Sequence, residues 1–301
     1  MTTTVEHSPL RTRLQRKRLQ GDVKSIKLGD DDAADPKATK RPDTHVTTFP
    51  SRPPRTTTRL SAAYHKLLLR KQDLLREHDI LLTRDVRRSC SDAAAATLVF
   101  AQQDAGTAVC ICPSGLLLTC SHCVAETADD LNLAAVHWLL FASGTIVGAR
   151  CVAWDARRDL ALLQITAAEA AEQEQGEGTL SFPAVAVADQ PPPLNVRLVC
   201  IGHPGTEDLE AEQPGVKTGY DVLHLSMGAF RGYAEGQDVQ DNSEIGALQH
   251  DCWTYWGHSG APLLDRKSGK LVGLHSSWDD QTGMRRGVPL EAIKEFLERN
   301  L

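Results

Sequence analysis

With 301 residues and 41% hydrophobic content, the chain can hold two small lobes plus an extension. No apolar run approaches the roughly 18 residues of a membrane-spanning helix, which excludes a helical span. The net charge of −6 is unevenly placed: residues 1–88 carry 20 Lys or Arg against 11 Asp or Glu, a net of +9, and residues 89–301 carry 13 against 28, a net of −15. A basic arm therefore precedes an acidic body.

Residues 1–58 are rich in Thr, Arg, Asp and Pro, with Asp30-Asp31-Asp32 and Ser51-Arg52-Pro53-Pro54-Arg55 as extremes, a composition that predicts a disordered arm. Arg11, Arg13, Arg16, Lys17 and Arg18 interrupt any apolar core of a secretory signal, so an intracellular location, cytoplasmic or nuclear, is expected. Residues 59–88 read as a linker helix, since Leu67, Leu68, Leu69, Leu74, Leu75 and Leu81 recur among basic residues over 60–82. Contact of the arm with nucleic acid, a membrane face or a partner is an open alternative to a solvated tail leading into a docking helix.

From residue 89 the pattern becomes that of short strands and turns. Residues 107–111 and 116–119 form an apolar hairpin around Pro113-Ser114-Gly115, and His122 follows its end, where a rigid strand can hold an imidazole as general base. Asp159 closes the polar turn at 155–158 and opens the apolar run 160–165, so a carboxylate there can be partly buried while accepting an imidazole N–H. Residues 167–195, acidic and then proline-rich, read as the crossing between two lobes. In Gly257-His258-Ser259-Gly260 the glycines permit a tight turn whose Gly257 and Ser259 amides can converge on an oxyanion. An apolar hairpin follows at 262–276, and residues 289–300 read as a terminal helix with Pro289 at its first position.

The blocks Leu118-Thr119-Cys120-Ser121-His122-Cys123-Val124, Asp159-Leu160-Ala161-Leu162-Leu163 and Gly257-His258-Ser259-Gly260-Ala261-Pro262-Leu263 together resemble the trypsin-like (chymotrypsin-fold) serine proteases, over about residues 95–300. The resemblance implies an all-β fold of two antiparallel β-barrels with a C-terminal helix, the first barrel over about 89–180 and the second over about 181–288. It implies a Ser259–His122–Asp159 triad that cleaves polypeptides through an acyl-enzyme, with no cofactor and no metal. Within the family the chain looks most like the glutamyl endopeptidases and the protease domains of HtrA enzymes. His258 stands where zymogen-activated members carry Asp, and Val199-Cys200-Ile201-Gly202-His203-Pro204-Gly205 and Leu274-His275-Ser276-Ser277 resemble glutamyl endopeptidase segments. By that likeness Thr254 and His275 face an acidic substrate side chain, and Ser276 supports Asp159 and pairs with substrate backbone.

Eight cysteines without a signal sequence predict free thiols, and the alternative is zinc ligation by Cys110-x-Cys112 with Cys120-x-x-Cys123. Two further functions compete with an endopeptidase. One is a catalytically inactive trypsin-like fold serving as a protein-binding module. The other is an α/β-hydrolase elbow at Ser259, which the order His…Asp…Ser and the 42 residues after Ser259 oppose.

Overall fold

The computed structural model describes residues 46–77, 84–101, 106–170, 180–205, 211, 213 and 215–301. The expectations for the first 45 residues, disorder and the lack of a secretory signal among them, lie outside the described residues. The described chain opens with strand β1 (Thr47–Phe49), a short helix α1 (Arg55–Thr58), and helices α2 (Ala62–Glu77) and α3 (Arg84–Ala95). Six strands follow: β2 (Thr97–Phe100), β3 (Thr107–Cys112), β4 (Leu116–Thr119), β5 (His137–Phe141), β6 (Ile146–Asp155) and β7 (Leu160–Glu169). They pair antiparallel in the order β7-β4-β3-β2-β5-β6, and pairing of β6 with β7 closes the first barrel.

The second barrel comprises β8 (Arg197–Gly202), β9 (His224–Tyr233), β10 (Leu248–His250), β11 (Pro262–Asp265), β12 (Leu271–Trp278) and β13 (Arg285–Pro289), closed in the order β10-β13-β12-β11-β8-β9. Helix α4 (Leu290–Asn300) ends the chain and buries Leu290, Ala292, Ile293 and Phe296. Pro289, with φ −68°, is its N-cap and stands one residue outside the helix, where its missing N–H costs nothing. The two-barrel, all-β architecture is the one the sequence resemblance implies.

Strands β2 and β4 and the first six residues of β7 are buried throughout. Coverage on both faces explains why these segments read as continuous apolar runs instead of alternating ones. Strand β8 alternates between cores: Leu198 and Cys200 join the second barrel's own cluster, whereas Val199 and Ile201 join the larger cluster that includes the first barrel. The period-2 geometry of a strand thus welds the barrels together.

Residues 46–95 pack on this body. Strand β1 lies parallel to the end of β7, with Thr47 opposite Ala167, and Phe49 meets Trp138 edge-on at 5.7 Å. Trp138 Nε1 donates to the Thr58 carbonyl at 2.8 Å. In α2 the buried positions 68, 71, 72 and 75 form one helical face, but two of them, Lys71 and Gln72, are polar. Their partners explain the burial: Lys71 Nζ donates to the Phe100 carbonyl at 2.7 Å, and Gln72 Nε2 to Glu169 at 2.9 Å, with Arg76 closing on the same carboxylate at 2.5 Å. Helix α3 buries Val86, Cys90, Ala93 and Ala94 at i, i+4, i+7 and i+8, and Ser89 Oγ reaches the Arg266 carbonyl at 2.6 Å on the second barrel. The first barrel strand starts only at Thr97.

Candidate active site

The first barrel supplies two of the expected residues. Strand β4 ends at Thr119, Cys120 stays extended, and Ser121–Cys123 forms a single 3-10 turn that presents His122. Trp154 Nε1 donates to the Ser121 carbonyl at 3.0 Å and fixes that turn from behind. Asp159 closes the turn between β6 and β7 with φ +53°, a left-handed conformation that aspartate tolerates better than most residues. Arg158 anchors the turn to the other half of the molecule: it pairs with Asp155 at 2.7 Å, Gln240 at 2.8 Å and Glu295 of α4 at 2.9 Å.

His122 Nδ1 and Asp159 Oδ1 lie 2.8 Å apart. The same oxygen accepts from Ser121 Oγ at 2.9 Å and the His122 amide at 3.4 Å, while Oδ2 accepts from Ser276 Oγ at 2.6 Å. Burial raises the carboxyl pKa of Asp159, but the charge and hydrogen bond of His122 and the hydroxyls of Ser276 and Ser121 outweigh it and hold the pKa below the usual value. Asp159 is therefore an anion in a nearly closed site, 5% exposed, beside an imidazole that is one-third exposed.

The second barrel brings Ser259 to the same place. Its Oγ donates to the Ser276 carbonyl at 3.1 Å, so Ser276 holds Asp159 with its side chain and the serine with its backbone. Gly257 (φ +94°) and Gly260 (φ +81°) shape the turn, and each stands where a side chain cannot: a Cβ on Gly257 would lie 2.3 Å from the His203 carbonyl, and one on Gly260 2.0 Å from the Thr107 carbonyl. The His258 amide is taken by the Tyr255 carbonyl at 3.1 Å. The amides of Gly257 and Ser259 donate to no acceptor among the described residues.

Thr107 of the first barrel fastens this turn. Its amide donates to the Ser259 carbonyl at 2.7 Å, its hydroxyl donates to the Gly257 carbonyl at 3.0 Å, and the hydroxyl accepts from the His203 amide at 3.0 Å. Sequence reasoning did not single out Thr107, because its partners lie more than 90 residues away.

Thr254 and His275 are both 2% exposed and stand in the second barrel's wall. His275 Nδ1 lies 3.1 Å from Nε2 of His250, a buried histidine the sequence reading passed over. Burial pulls His250 down to about 3 and His275 well below its usual pKa, and the charge of Arg285 presses both the same way, so the pair is neutral at physiological pH. His258, also pulled down to about 3 by burial, sets Nδ1 3.1 Å from both the amide nitrogen and the carbonyl oxygen of Tyr255 and braces the turn from inside.

All eight cysteines are free. Among the described residues, the donor atoms close enough to share a metal ion are those of Cys120, His122 and Asp159; of the Cys110, Cys112, Cys120 and Cys123 set that the spacing suggests, Cys120 alone belongs to this trio. That trio fits a metal poorly: burial drives the Cys120 thiol well above its usual pKa, and both Asp159 oxygens are occupied.

A family model described as a trypsin-like peptidase domain matches residues 106–274, more than half of the chain. The chain belongs to the trypsin-like peptidase family. None of the curated proteins matches this trypsin-like peptidase in sequence. Among solved structures it is similar to the serine endoprotease from Yersinia pestis, with 19% identity over 73% of this chain and 67% of that one and a TM-score of 0.49. It is also similar to Rv3671c from M. tuberculosis H37Rv, solved as an inactive serine-to-alanine mutant, with 16% identity over 71% of this chain and 89% of that one and a TM-score of 0.48. The described residues of this trypsin-like peptidase include no helix long and apolar enough to cross a membrane.

Proposed function

We propose that the protein is a serine endopeptidase in which Ser259, His122 and Asp159 act as one unit. The observation that carries this reading is the buried anionic Asp159, 2.8 Å from His122 Nδ1 and bridged by Ser276 to the serine. An anion on Nδ1 fixes the tautomer that leaves Nε2 as the proton acceptor. Substrate main chain competes for the Ser276 carbonyl and frees the serine hydroxyl; His122 takes its proton as Ser259 Oγ attacks the scissile carbonyl. The Gly257 and Ser259 amides receive the oxyanion, and His122 returns the proton to the leaving amine. Water then repeats the sequence on the acyl-enzyme.

The preferred side chain on the acyl side of the cut bond is acidic, with Thr254 and His275 among the residues that meet it. The Thr254 hydroxyl is buried without a partner among the described residues, and such a group finds its bond in a ligand. Hydrolysis of a peptide library by the purified protein beside Ser259→Ala tests the assignment. Cleavage by the parent alone, clustered after Glu or Asp, is expected; equal cleavage by both proteins would show that Ser259 is not the nucleophile.

A further inference from the structure

Resting on that reading, the wall of the second barrel identifies what would hold an acidic side chain. A cavity of about 650 Å³ is bordered by Trp253, Thr254 and Tyr255 before the serine, by Trp278 after Ser276, and by Gly283 and Arg285 beyond. Arg285 opens β13 directly opposite Trp278 of β12 in the ladder, so its position follows from strand register. Its Nη1 donates to the Gly283 carbonyl at 2.7 Å and its Nη2 to the Thr254 carbonyl at 3.4 Å, while Nε is buried without a partner among the described residues.

Carbonyls orient a guanidinium but do not neutralise it. Among the described residues Arg285 pairs with no carboxylate, unlike its neighbour Arg286, which faces Asp279 at 3.6 Å. Asp279 also borders the cavity but is engaged elsewhere: it accepts the amides of Gln281 at 3.0 Å and Thr282 at 3.1 Å besides facing Arg286. Asp280, also on the border, is exposed to solvent. Of the five N–H donors of a guanidinium, two are committed here. Among the described residues, this half-buried cation with uncommitted donors, facing a cavity beside an unpartnered threonine hydroxyl, lacks an anion.

We propose that Arg285 is the specificity-determining residue of this enzyme, and that its guanidinium and the Thr254 hydroxyl together receive the side-chain carboxylate of a Glu or Asp on the acyl side of the cut bond. The neutral pair His250 and His275 lends a hydrogen bond and no charge. Attraction to the carboxylate therefore comes from the arginine, whose planar fork can also take it in two hydrogen bonds.

The test compares kcat/KM on two peptides that differ only in Glu or Gln at the acyl-side position, for the parent, Arg285→Gln and Arg285→Lys, each checked for a cooperative melt. The parent prefers Glu, Arg285→Gln lowers the Glu-to-Gln ratio by about 30-fold or more, and Arg285→Lys falls between them because it keeps the charge without the fork. A parent that prefers Glu, with the ratio unchanged in Arg285→Gln, overturns the role of Arg285 and leaves the acidic preference standing. A parent that treats Glu and Gln alike overturns both. If no peptide is cut, the serine-peptidase reading fails, and binding then decides for the pocket. In Ser259→Ala, quenching of Trp253 and Trp278 fluorescence by peptides ending in Glu or Gln reads occupancy of the cavity. Tighter binding of the Glu peptide, by about tenfold or more and lost in Arg285→Gln, supports the site, and equal binding of the two peptides overturns it.

Discussion

The Asp159 turn and the wall of the second barrel treat their buried polar groups in opposite ways. Around the Asp159 turn of the first barrel, carboxylate, imidazole and hydroxyls close on one another. Along the wall of the second, Thr254 Oγ1, Trp256 Nε1, Ser277 Oγ and Arg285 Nε are buried with no partner among the described residues. A satisfied network is rigid and positions groups for chemistry, whereas unsatisfied groups in a wall cost free energy until something else binds them. The turn holds its own residues, and on the proposed function the wall is the part that holds another molecule.

The largest expected effect lies on the satisfied side. Ser259→Ala and His122→Ala should each lower kcat by several decades, and Asp159→Asn by about 10⁴ through the wrong imidazole tautomer, with folding retained. Steady-state rates on one good peptide, beside melting curves, check this. If the single and double variants multiplied their losses, the three residues would not be acting as a unit.

A smaller effect is expected at the strut between the halves. Thr107→Val removes the hydroxyl that bonds the Gly257 carbonyl and the His203 amide, so the turn carrying the Gly257 and Ser259 amides loosens. The kcat should fall about 10²-fold with little change in KM, and Thr107→Ser should restore most of it. A stability loss with an unchanged kcat would make Thr107 merely structural.

The histidines of the second barrel give a pH signature. His203, His250, His258 and His275 are buried and their pKa values are lowered by that burial, to about 3 for His250 and His258. A lowered folded-state pKa means that the unfolded chain binds more protons, so stability rises with pH through the window from about 3 to the unfolded value near 6.5. Acid should therefore weaken the protein below pH 6.5 by about 1 kcal/mol per pH unit for each of His250 and His258, with His203 and His275 acting in the same direction. Asp159, with its lowered pKa, adds its own loss only below its unfolded value of 3.8. Chemical denaturation at pH 7.5, 6.5 and 5.5 reads the slope, and a flat profile would mean that these histidines are not buried neutral.

The smallest effects belong to the N-terminal segment. Deleting residues 1–45 should leave kcat/KM on short peptides unchanged. Deleting 1–58 also removes β1, the Phe49 contact and the Thr58 carbonyl that Trp138 uses, and should lower Tm by several degrees with the active site intact. Equal Tm for both truncations would show that these contacts carry no net stability.

Much of this was legible in the sequence. The β3–β4 hairpin, the long strand after Asp159 and the helix buried through Ala292, Ile293 and Phe296 follow from apolar runs, turn residues and helical spacing. The roles of Gly257 and Gly260 follow from the shape of the turn. Helix α3 is not legible as an element of its own: its buried face, Val86, Cys90, Ala93 and Ala94, is made of small side chains that form no long apolar run, and its first five residues fall within the linker helix expected over 59–88. Strand β1 was read as part of the arm, since three residues give no periodicity and only pairing with β7 makes them a strand. Thr107, His250 and Arg285 stayed hidden for another reason: each acts through register or closure between distant strands, which local sequence does not encode.

The central claim is that the two barrels complete one nucleophilic site, and reaction with a fluorophosphonate followed by peptide mapping tests it most directly. The account predicts a single adduct on Ser259 Oγ, formed by the parent and abolished in His122→Ala. An adduct on another residue, or a folded parent protein that does not react at all, would contradict it.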